Sequence, residues 1–186
     1  MSQVFEEDGR VTPVTLVKTG PCYVTQIKTE EKDGYRAVQI GFEKLKESRQ
    51  KKTQKNKPYR YLREWKDVPE EIKVGDEISA GIFEKGDEVE VSAVSKGKGY
   101  AGAVKRHGFV DKAKAHGAKD MRRLGATGSR FPQRTLKGQR MAGRMGTDRV
   151  TVKNLKVTAV DAENDILAIK GAVPGSRGTL VEIKKI

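Results

Sequence analysis

Cysteine, histidine and long apolar runs are all scarce in this 186-residue chain. Cys22 is the single cysteine, so the chain can form no internal disulfide. His107 and His116 are the only histidines. Together with Cys22 they make three side chains, fewer than the four Cys or His ligands of a structural zinc site. No apolar run approaches the length that spans a bilayer. We therefore expect neither a membrane partner nor a metal.

Catalytic signatures are equally scarce. The sequence contains no nucleophile elbow and no paired carboxylates of the kind used in acid–base catalysis. Cys22 lies in the apolar context PCYVTQI, which favours a small core residue over a reactive thiol. We predict that the protein is not an enzyme and uses neither a cofactor nor a small-molecule substrate.

Positive charge is abundant, and it is concentrated in two segments. Ser95–Arg149 contains seven Lys and eight Arg against three Asp, a net charge of +12, together with ten of the twenty glycines. Glu43–Lys66 has a net charge of +7. Because the whole chain carries +13, the remaining residues carry −6. A mildly acidic body with two basic segments favours a nucleic acid as partner.

Short β-branched segments lie on both sides of the glycine-rich basic segment. They are VTPVTLVK, CYVTQIK, YRAVQIGF, IKVGDEISAGIF and GDEVEVSAVS before it, and VTVKNLKVTAV, ILAIKGAV and TLVEIKKI after it. Many short strands with tight turns predict a mainly β fold, a small closed barrel or a sandwich. We interpret 1–94 and 150–186 as a β body with a basic insertion at about 43–66, and 95–149 as an extension that leaves and re-enters it. The acidic DAEND segment is interpreted as a hairpin turn, since it lacks the ligands and glycine of a calcium loop.

Gly97–Gly102 matches the dinucleotide pattern G-x-G-x-x-G, and Asp120 follows at a suitable distance for a ribose-binding acid. A dinucleotide fold needs an apolar helix after the glycines to pack on a parallel sheet. The continuation AVKRHGFVDKAKAHGAKD has too few apolar positions and two further glycines. We therefore reject a nucleotide site and interpret the pattern as part of an RNA-binding segment.

RNA binding explains the composition of this segment better. Glycines allow backbone to approach phosphates closely, and Lys96, Lys98, Lys105 and Arg106 supply charge at short spacing. Tyr100, His107 and Phe109 are available for stacking. From Met121 onward Arg outnumbers Lys, which suits bidentate phosphate contacts. A disordered basic tail is the alternative, but this segment is internal and bounded by strands.

The second basic run, Lys44–Lys66, has two interpretations. It is either a solvated loop or a second RNA contact, with Tyr59, Tyr61 and Trp65 stacking or packing beside it. We favour the contact, and we expect Trp65 to lie in the core because large aromatic side chains usually bury their area.

Two blocks of this sequence, FEKGDEVEVSAVSKGKGYAGAVKR and FPQRTLKGQRMAGRMGTDR, closely resemble the universal large-subunit ribosomal protein L-three family in its bacterial or organellar form. The resemblance extends over most of the chain outside Glu43–Tyr61. It implies a six-stranded, translation-factor-like closed β-barrel with a small α+β insertion and a long irregular basic extension. It also implies binding to large-subunit rRNA near its 3′ end, a role in early subunit assembly, and an extension that reaches towards the peptidyl-transferase centre.

The resemblance further implies neighbouring large-subunit ribosomal proteins as partners, and a location in the cytoplasmic or an organellar ribosome. One arm of the extension would contain Lys96, Lys98, Lys105, Arg106 and His107, and the other Lys137, Arg140, Arg144 and Arg149, with a tip around Gly128–Gln133. Tyr100, Arg122, Arg123, Arg130 and Arg134 complete the predicted rRNA-binding residues.

Three features depart from the family pattern. A short strand that usually precedes the position of Met1 is missing or not included, which leaves one barrel edge undefined. Glu90 stands where Asp or Asn is usual. The tip GSRFPQR places Ser129 or Arg130 where bacterial relatives often carry a methylated glutamine, and Gln133 is offset, so we do not predict that modification.

Two other functions remain to be distinguished experimentally. A translation-factor-like enzyme or accessory module would require a nucleotide site. A non-specific DNA-binding protein would use the same phosphate contacts, so charge alone does not separate DNA from rRNA.

Overall fold

The computed structural model describes residues 1–6, 8–54, 56–66, 72–111 and 113–186, and their fold is mainly β. The strands are β1 Ser2–Phe5, β2 Val11–Lys18, β3 Cys22–Lys28, β4 Ala37–Lys44, β5 Tyr59–Trp65, β6 Glu77–Ile78, β7 Glu88–Val94, β8 Tyr100–Ala101, β9 Gly143–Arg144, β10 Arg149–Asp161, β11 Ile166–Lys170 and β12 Val181–Lys185. The two α-helices, α1 Glu30–Asp33 and α2 Ala103–His107, are short, as are three 3-10 helices at Glu47–Arg49, Lys52–Gln54 and Ala80–Ile82.

The chain divides into two compact units. The first contains Met1–Ser92, Thr151–Val173 and Leu180–Ile186, and the second contains Ala93–Val150 and Pro174–Thr179.

A six-stranded sheet in the order β1-β2-β11-β10-β7-β12 contains the main core. Val89, Val91, Val157, Leu167 and Ile169 form this core, each with 2 % or less of its surface exposed. Because side chains alternate along β7, Val89 and Val91 lie on the same face of the sheet, as the pattern GDEVEVSAVS predicts. Burying a side chain of this size contributes about 1.5–3 kcal/mol, so these five residues are central to the stability of the first unit.

Closure of this sheet into a barrel is not confirmed. Among the described residues, β1 and β12 stand at opposite ends of the strand order, each with one hydrogen-bonded neighbour. Hydrophobic alternation predicts that a segment is a strand and which face it buries. Closure depends instead on strand tilt and on the stagger between strands, which alternation does not encode.

A second, four-stranded sheet has the order β5-β4-β3-β6. Strand β5 was not predicted, and it pairs antiparallel with β4, with Trp65 opposite Val38 and Tyr61 opposite Phe42. Trp65 is half-buried. Gly41 is required here, because a Cβ at this position would lie 2.6 Å from the ring of Tyr59.

The turn between β10 and β11 confirms the hairpin interpretation of DAEND. Both Asp161 carboxylate oxygens accept hydrogen bonds from Asn164, one from its backbone N–H at 3.1 Å and one from its side-chain amide at 2.8 Å. These bonds lower the pKa of Asp161. In the described residues no cluster of three or more His, Cys, Asp or Glu side chains is placed to hold a metal ion.

Cys22 is half-buried, and its Sγ lies 3.3 Å from the carbonyl oxygen of Thr19. Burial, with a smaller contribution from the charge of Asp165, raises the pKa of the Cys22 thiol to about 11. The thiol is therefore protonated near neutrality, which agrees with the predicted structural role.

Candidate nucleic-acid interface

The two predicted arms of the basic segment pair with each other. Strands β8 and β9 are antiparallel, and the backbone bonds continue beyond them. The Ser95 N–H donates to the Asp148 carbonyl at 2.9 Å, the Lys98 N–H to Met145 at 2.9 Å, and the Met145 N–H to Gly99 at 3.0 Å. The base of the segment is thus an ordered two-stranded ladder, which a disordered tail would not form.

Close approach of the arms depends on glycine. Gly146 has φ +80°, and a Cβ built there would lie 2.2 Å from the carbonyl oxygen of Lys96. On the facing arm, a Cβ at Gly97 would lie 3.0 Å from the Thr147 hydroxyl oxygen. The sequence suggests that these glycines allow approach to phosphate, but the close neighbour of Gly146 is the protein's own backbone.

Helix α2 is bonded to the opposite arm through one carbonyl group. Arg106 Nη1 donates to the Met141 oxygen at 2.9 Å, and His107 Nε2 lies 3.1 Å from the same oxygen. A Cβ at Gly143 would lie 2.7 Å from Arg106 Nη1, so glycine leaves the room that the guanidinium occupies. Gly108, with φ +69°, ends the helix in the left-handed conformation.

The surroundings of the G-x-G-x-x-G pattern differ from those of a dinucleotide fingerprint. Among the described residues, the helix that follows the glycines, α2, is five residues long, and the neighbouring strands β8 and β9 are antiparallel. A dinucleotide site needs a longer helix packed on a parallel sheet.

Thirteen of the fourteen predicted RNA-binding residues are exposed, and His107 is half-buried. The exposed residues are Lys96, Lys98, Tyr100, Lys105, Arg106, Arg122, Arg123, Arg130, Arg134, Lys137, Arg140, Arg144 and Arg149. Exposure leaves these groups accessible to a polyanion.

The structure brings some of these residues together. Tyr100 and Arg144 are directly opposite each other across β8 and β9, and the Tyr100 side chain is 82 % exposed. A ring and a guanidinium at neighbouring positions suit a stacked base beside a phosphate. The ring of His107 lies 6.1 Å from that of Phe109, so this histidine has protein neighbours on two sides.

The predicted tip is highly exposed. Every residue from 125 to 140 is exposed, including Phe131 at 76 %. Arg122, Arg130, Arg134, Lys137 and Arg140 lie in or beside this stretch and outside the β8–β9 pairing. Arg123 forms an ion pair with Asp120 at 3.2 Å.

Sequence reasoning missed the roles of Met141, Gly143 and Gly146. The signal available for them is the repeated glycine in MAGRMG, which places residues without side chains beside large ones.

No helix in the described ranges has the length and apolar character needed to cross a bilayer.

Comparison with known proteins identifies the family. The family model for ribosomal protein L3 matches residues 69–165, a range that contains both arms. The chain belongs to the ribosomal protein L3 family. It is 48 % identical to large ribosomal subunit protein uL3 of Carboxydothermus hydrogenoformans, over 100 % of this chain and 92 % of that protein. It is 47 % identical to uL3 of Desulfitobacterium hafniense (99 % and 91 %) and 45 % identical to uL3 of Thermosipho africanus (99 % and 93 %).

Membership confirms the resemblance deduced from the sequence blocks and makes the chain a ribosomal protein. The L3 family is structural rather than catalytic.

Proposed function

We propose that this chain is a structural constituent of the large ribosomal subunit in the cytoplasm, where its basic segment 95–149 binds large-subunit rRNA. The site lies near the 3′ end of that rRNA, the protein acts early in subunit assembly, and the tip reaches towards the peptidyl-transferase centre. Neighbouring large-subunit proteins are its other partners. The body, 1–94 and 150–186, is a translation-factor-like barrel.

The observation that carries the proposal is the ladder that orders a segment of net charge +12. A flexible chain loses conformational entropy when it binds, which costs about 1–2 kcal/mol per residue that becomes fixed. Bonds between the arms fix part of this segment before it meets RNA. The charge then acts from a defined shape, which favours a folded RNA over an arbitrary polyanion.

The predicted contacts are of two kinds. Exposed Lys and Arg side chains neutralise phosphates, and Tyr100 provides a face for stacking. If the arms together neutralise on the order of ten phosphates, the logarithm of affinity falls with the logarithm of salt concentration with a slope of roughly −7 to −9.

Deletion of residues 108–137 tests the assembly role. We expect the shortened chain to fold, because the core of the first unit lies outside the deleted range. We also expect it to be absent from mature large subunits in cells that co-express the wild-type protein. Circular dichroism provides the folding control, and normal incorporation of the deleted chain would contradict the proposal.

Competition binding tests the choice of nucleic acid. Folded large-subunit rRNA should displace duplex DNA at equal salt concentration, because only the RNA offers the shape that ordered arms fit. Equal affinity for the two would favour non-specific DNA binding instead. Thermal stabilisation by a nucleotide would favour the translation-factor-like alternative, and we expect none.

A further inference from the structure

The second basic run separates into two parts with different contacts. In the part on β5 and just before it, Arg60 pairs with Glu43 at 3.2 Å, Arg63 pairs with Glu182 at 2.7 Å, and Lys57 donates to side-chain amides. These cations are used within the protein.

The loop between β4 and β5 differs. Lys44 at the end of β4 and Lys46, Arg49, Lys51 and Lys52 in the loop are all exposed, and none forms an ion pair with a described residue. Lys55 lies outside the described residues.

This loop is an ordered structure. The Leu45 N–H donates to the Pro58 carbonyl at 2.8 Å, which closes the loop at its base. The Gln50 side-chain amide donates to the Leu45 carbonyl at 3.0 Å, and Gln54 donates its N–H to Lys51 at 2.8 Å. Leu45, Gln50 and Gln54 are half-buried, whereas the five cations between and beside them are exposed. The loop therefore presents its charge on an outward surface.

We propose that these five cations, the β4–β5 loop surface, form a second phosphate-binding surface for RNA, distinct from the arms. The inference rests on the proposed rRNA-binding function. It divides the Lys44–Lys66 run into a part that binds RNA and a part that stabilises the protein.

The composition of the surface indicates the RNA backbone as its partner. Protein–protein interfaces are anchored by buried aromatic or aliphatic side chains and are depleted in Lys. The loop presents no exposed apolar side chain between residues 44 and 54, and it contains no aromatic residue. Phosphates require only charge and hydrogen-bond donors. The nearby rings of Tyr59 and Tyr61 lie against Tyr23 and Phe42, so these rings are occupied within the protein and the loop acts through its cations.

The test compares two variants of the full chain with the same change in charge. The loop variant carries Gln at all five positions of the β4–β5 loop surface. The dispersed variant carries Gln at five exposed lysines elsewhere in the first unit: Lys18, Lys32, Lys73, Lys85 and Lys170. Binding to large-subunit rRNA is measured over a series of KCl concentrations.

Each phosphate contact that is lost reduces the magnitude of the salt slope by about 0.7–0.9. If three to five loop cations reach phosphates, the slope of the loop variant falls in magnitude by about 2–4.5, and that of the dispersed variant by less than about 1. Equal slopes for the two variants would overturn the inference. A third variant, with Gln at Lys137, Arg140 and Arg144, separates this result from failure of the proposed function, since it must lose slope if the arms bind rRNA.

A second measurement uses the unmodified protein and so avoids any effect on folding. Lysine acetylation, read by mass spectrometry, is compared for the free chain and the chain bound to rRNA. We expect Lys44, Lys46, Lys51 and Lys52 to be protected at least fivefold in the complex, while the dispersed lysines remain reactive. Unchanged reactivity at the four loop lysines would contradict the inference.

Discussion

Replacing Gly146 with Ala should separate the two arms without removing any charge. The added Cβ would lie 2.2 Å from the Lys96 carbonyl oxygen and 3.0 Å from the Gly97 Cα, and both neighbours are backbone atoms. Real Cβ contacts are at least 3.4 Å in ordinary packing, so one arm must move by more than 1 Å. The positive φ adds a second cost, because an L-residue with a side chain is disfavoured there.

The magnitude follows from these two costs. The left-handed conformation costs about 1–2 kcal/mol for a residue with a Cβ. Overpacking typically costs about 1–3 kcal/mol. The sum, about 2–5 kcal/mol, weakens closure of the ladder by a factor of roughly thirty to several thousand, since about 1.4 kcal/mol corresponds to a tenfold change.

Hydrogen exchange provides the assay. The Lys98 and Met145 amides are donors in the ladder, so both should exchange faster in the Gly146→Ala chain by that factor. Binding to large-subunit rRNA should weaken as well, although every cation is retained.

Gly138→Ala is the matched control. Gly138 also has φ +80°, but a Cβ there has no neighbour within 4 Å. It should therefore show the conformational cost alone. If Gly146→Ala and Gly138→Ala have the same exchange rates and the same rRNA affinity, the reasoning from close approach of the arms is refuted.

Three further predictions concern the first unit. Leu167→Ala should lower the free energy of unfolding, measured by urea denaturation, by about 2–5 kcal/mol, because Leu167 is fully buried. Leu16→Ala should lower it far less, because Leu16 is 56 % exposed. Equal losses for the two variants would contradict the assigned core. At pH 8 the Cys22 thiol should react with iodoacetamide at least tenfold more slowly in the folded chain than in urea, because its folded pKa is raised to about 11; equal rates would argue against burial as the cause. The hydrogen bond from Lys185 lowers the pKa of Asp87 in the folded chain. The stabilisation from this bond is therefore complete above the unfolded pKa of about 4 and is lost as the pH falls through the folded pKa. Asp87→Asn should flatten the acid limb of a curve of stability against pH, and an unchanged acid limb would contradict this.

Strands of the body were largely predictable from side-chain alternation or from β-branched composition. In β7, Val89 and Val91 lie on the buried face at every second position, as the segment GDEVEVSAVS predicts. Strands β2 and β11 are recognised instead by their β-branched and apolar residues, and both match predicted segments closely. Strand β5 was missed because Arg60, Arg63 and Glu64 interrupt its apolar pattern and it follows a lysine-rich run. In the structure their charges face outward, and pairing with β4 supplies the stability that the pattern does not reveal.

The candidate interface was predictable in its location but not in its internal bonding. Net charge and glycine content identify 95–149 without any structural information. The ladder is made by backbone N–H and carbonyl groups, which every residue carries, so no side-chain pattern identifies the partners. The bond from Arg106 to the Met141 carbonyl likewise joins residues far apart in sequence.

The division of roles among the cations follows from that bonding. Lys105 is exposed on α2, while the neighbouring Arg106 is bonded to Met141. We expect Lys105→Gln to reduce the magnitude of the salt slope by about 0.7–0.9, the amount that corresponds to one phosphate contact. Arg106→Gln should lower affinity with less change in slope, because it alters the shape of the arm more than its contacts.

Crosslinking the chain within purified ribosomes, followed by sequencing of the attached RNA, tests the central claim most directly. The account predicts that peptides from residues 95–149 carry large-subunit rRNA and that the attached fragments include sequence near its 3′ end. Crosslinks from the body alone, or to RNA outside the large subunit, would contradict it.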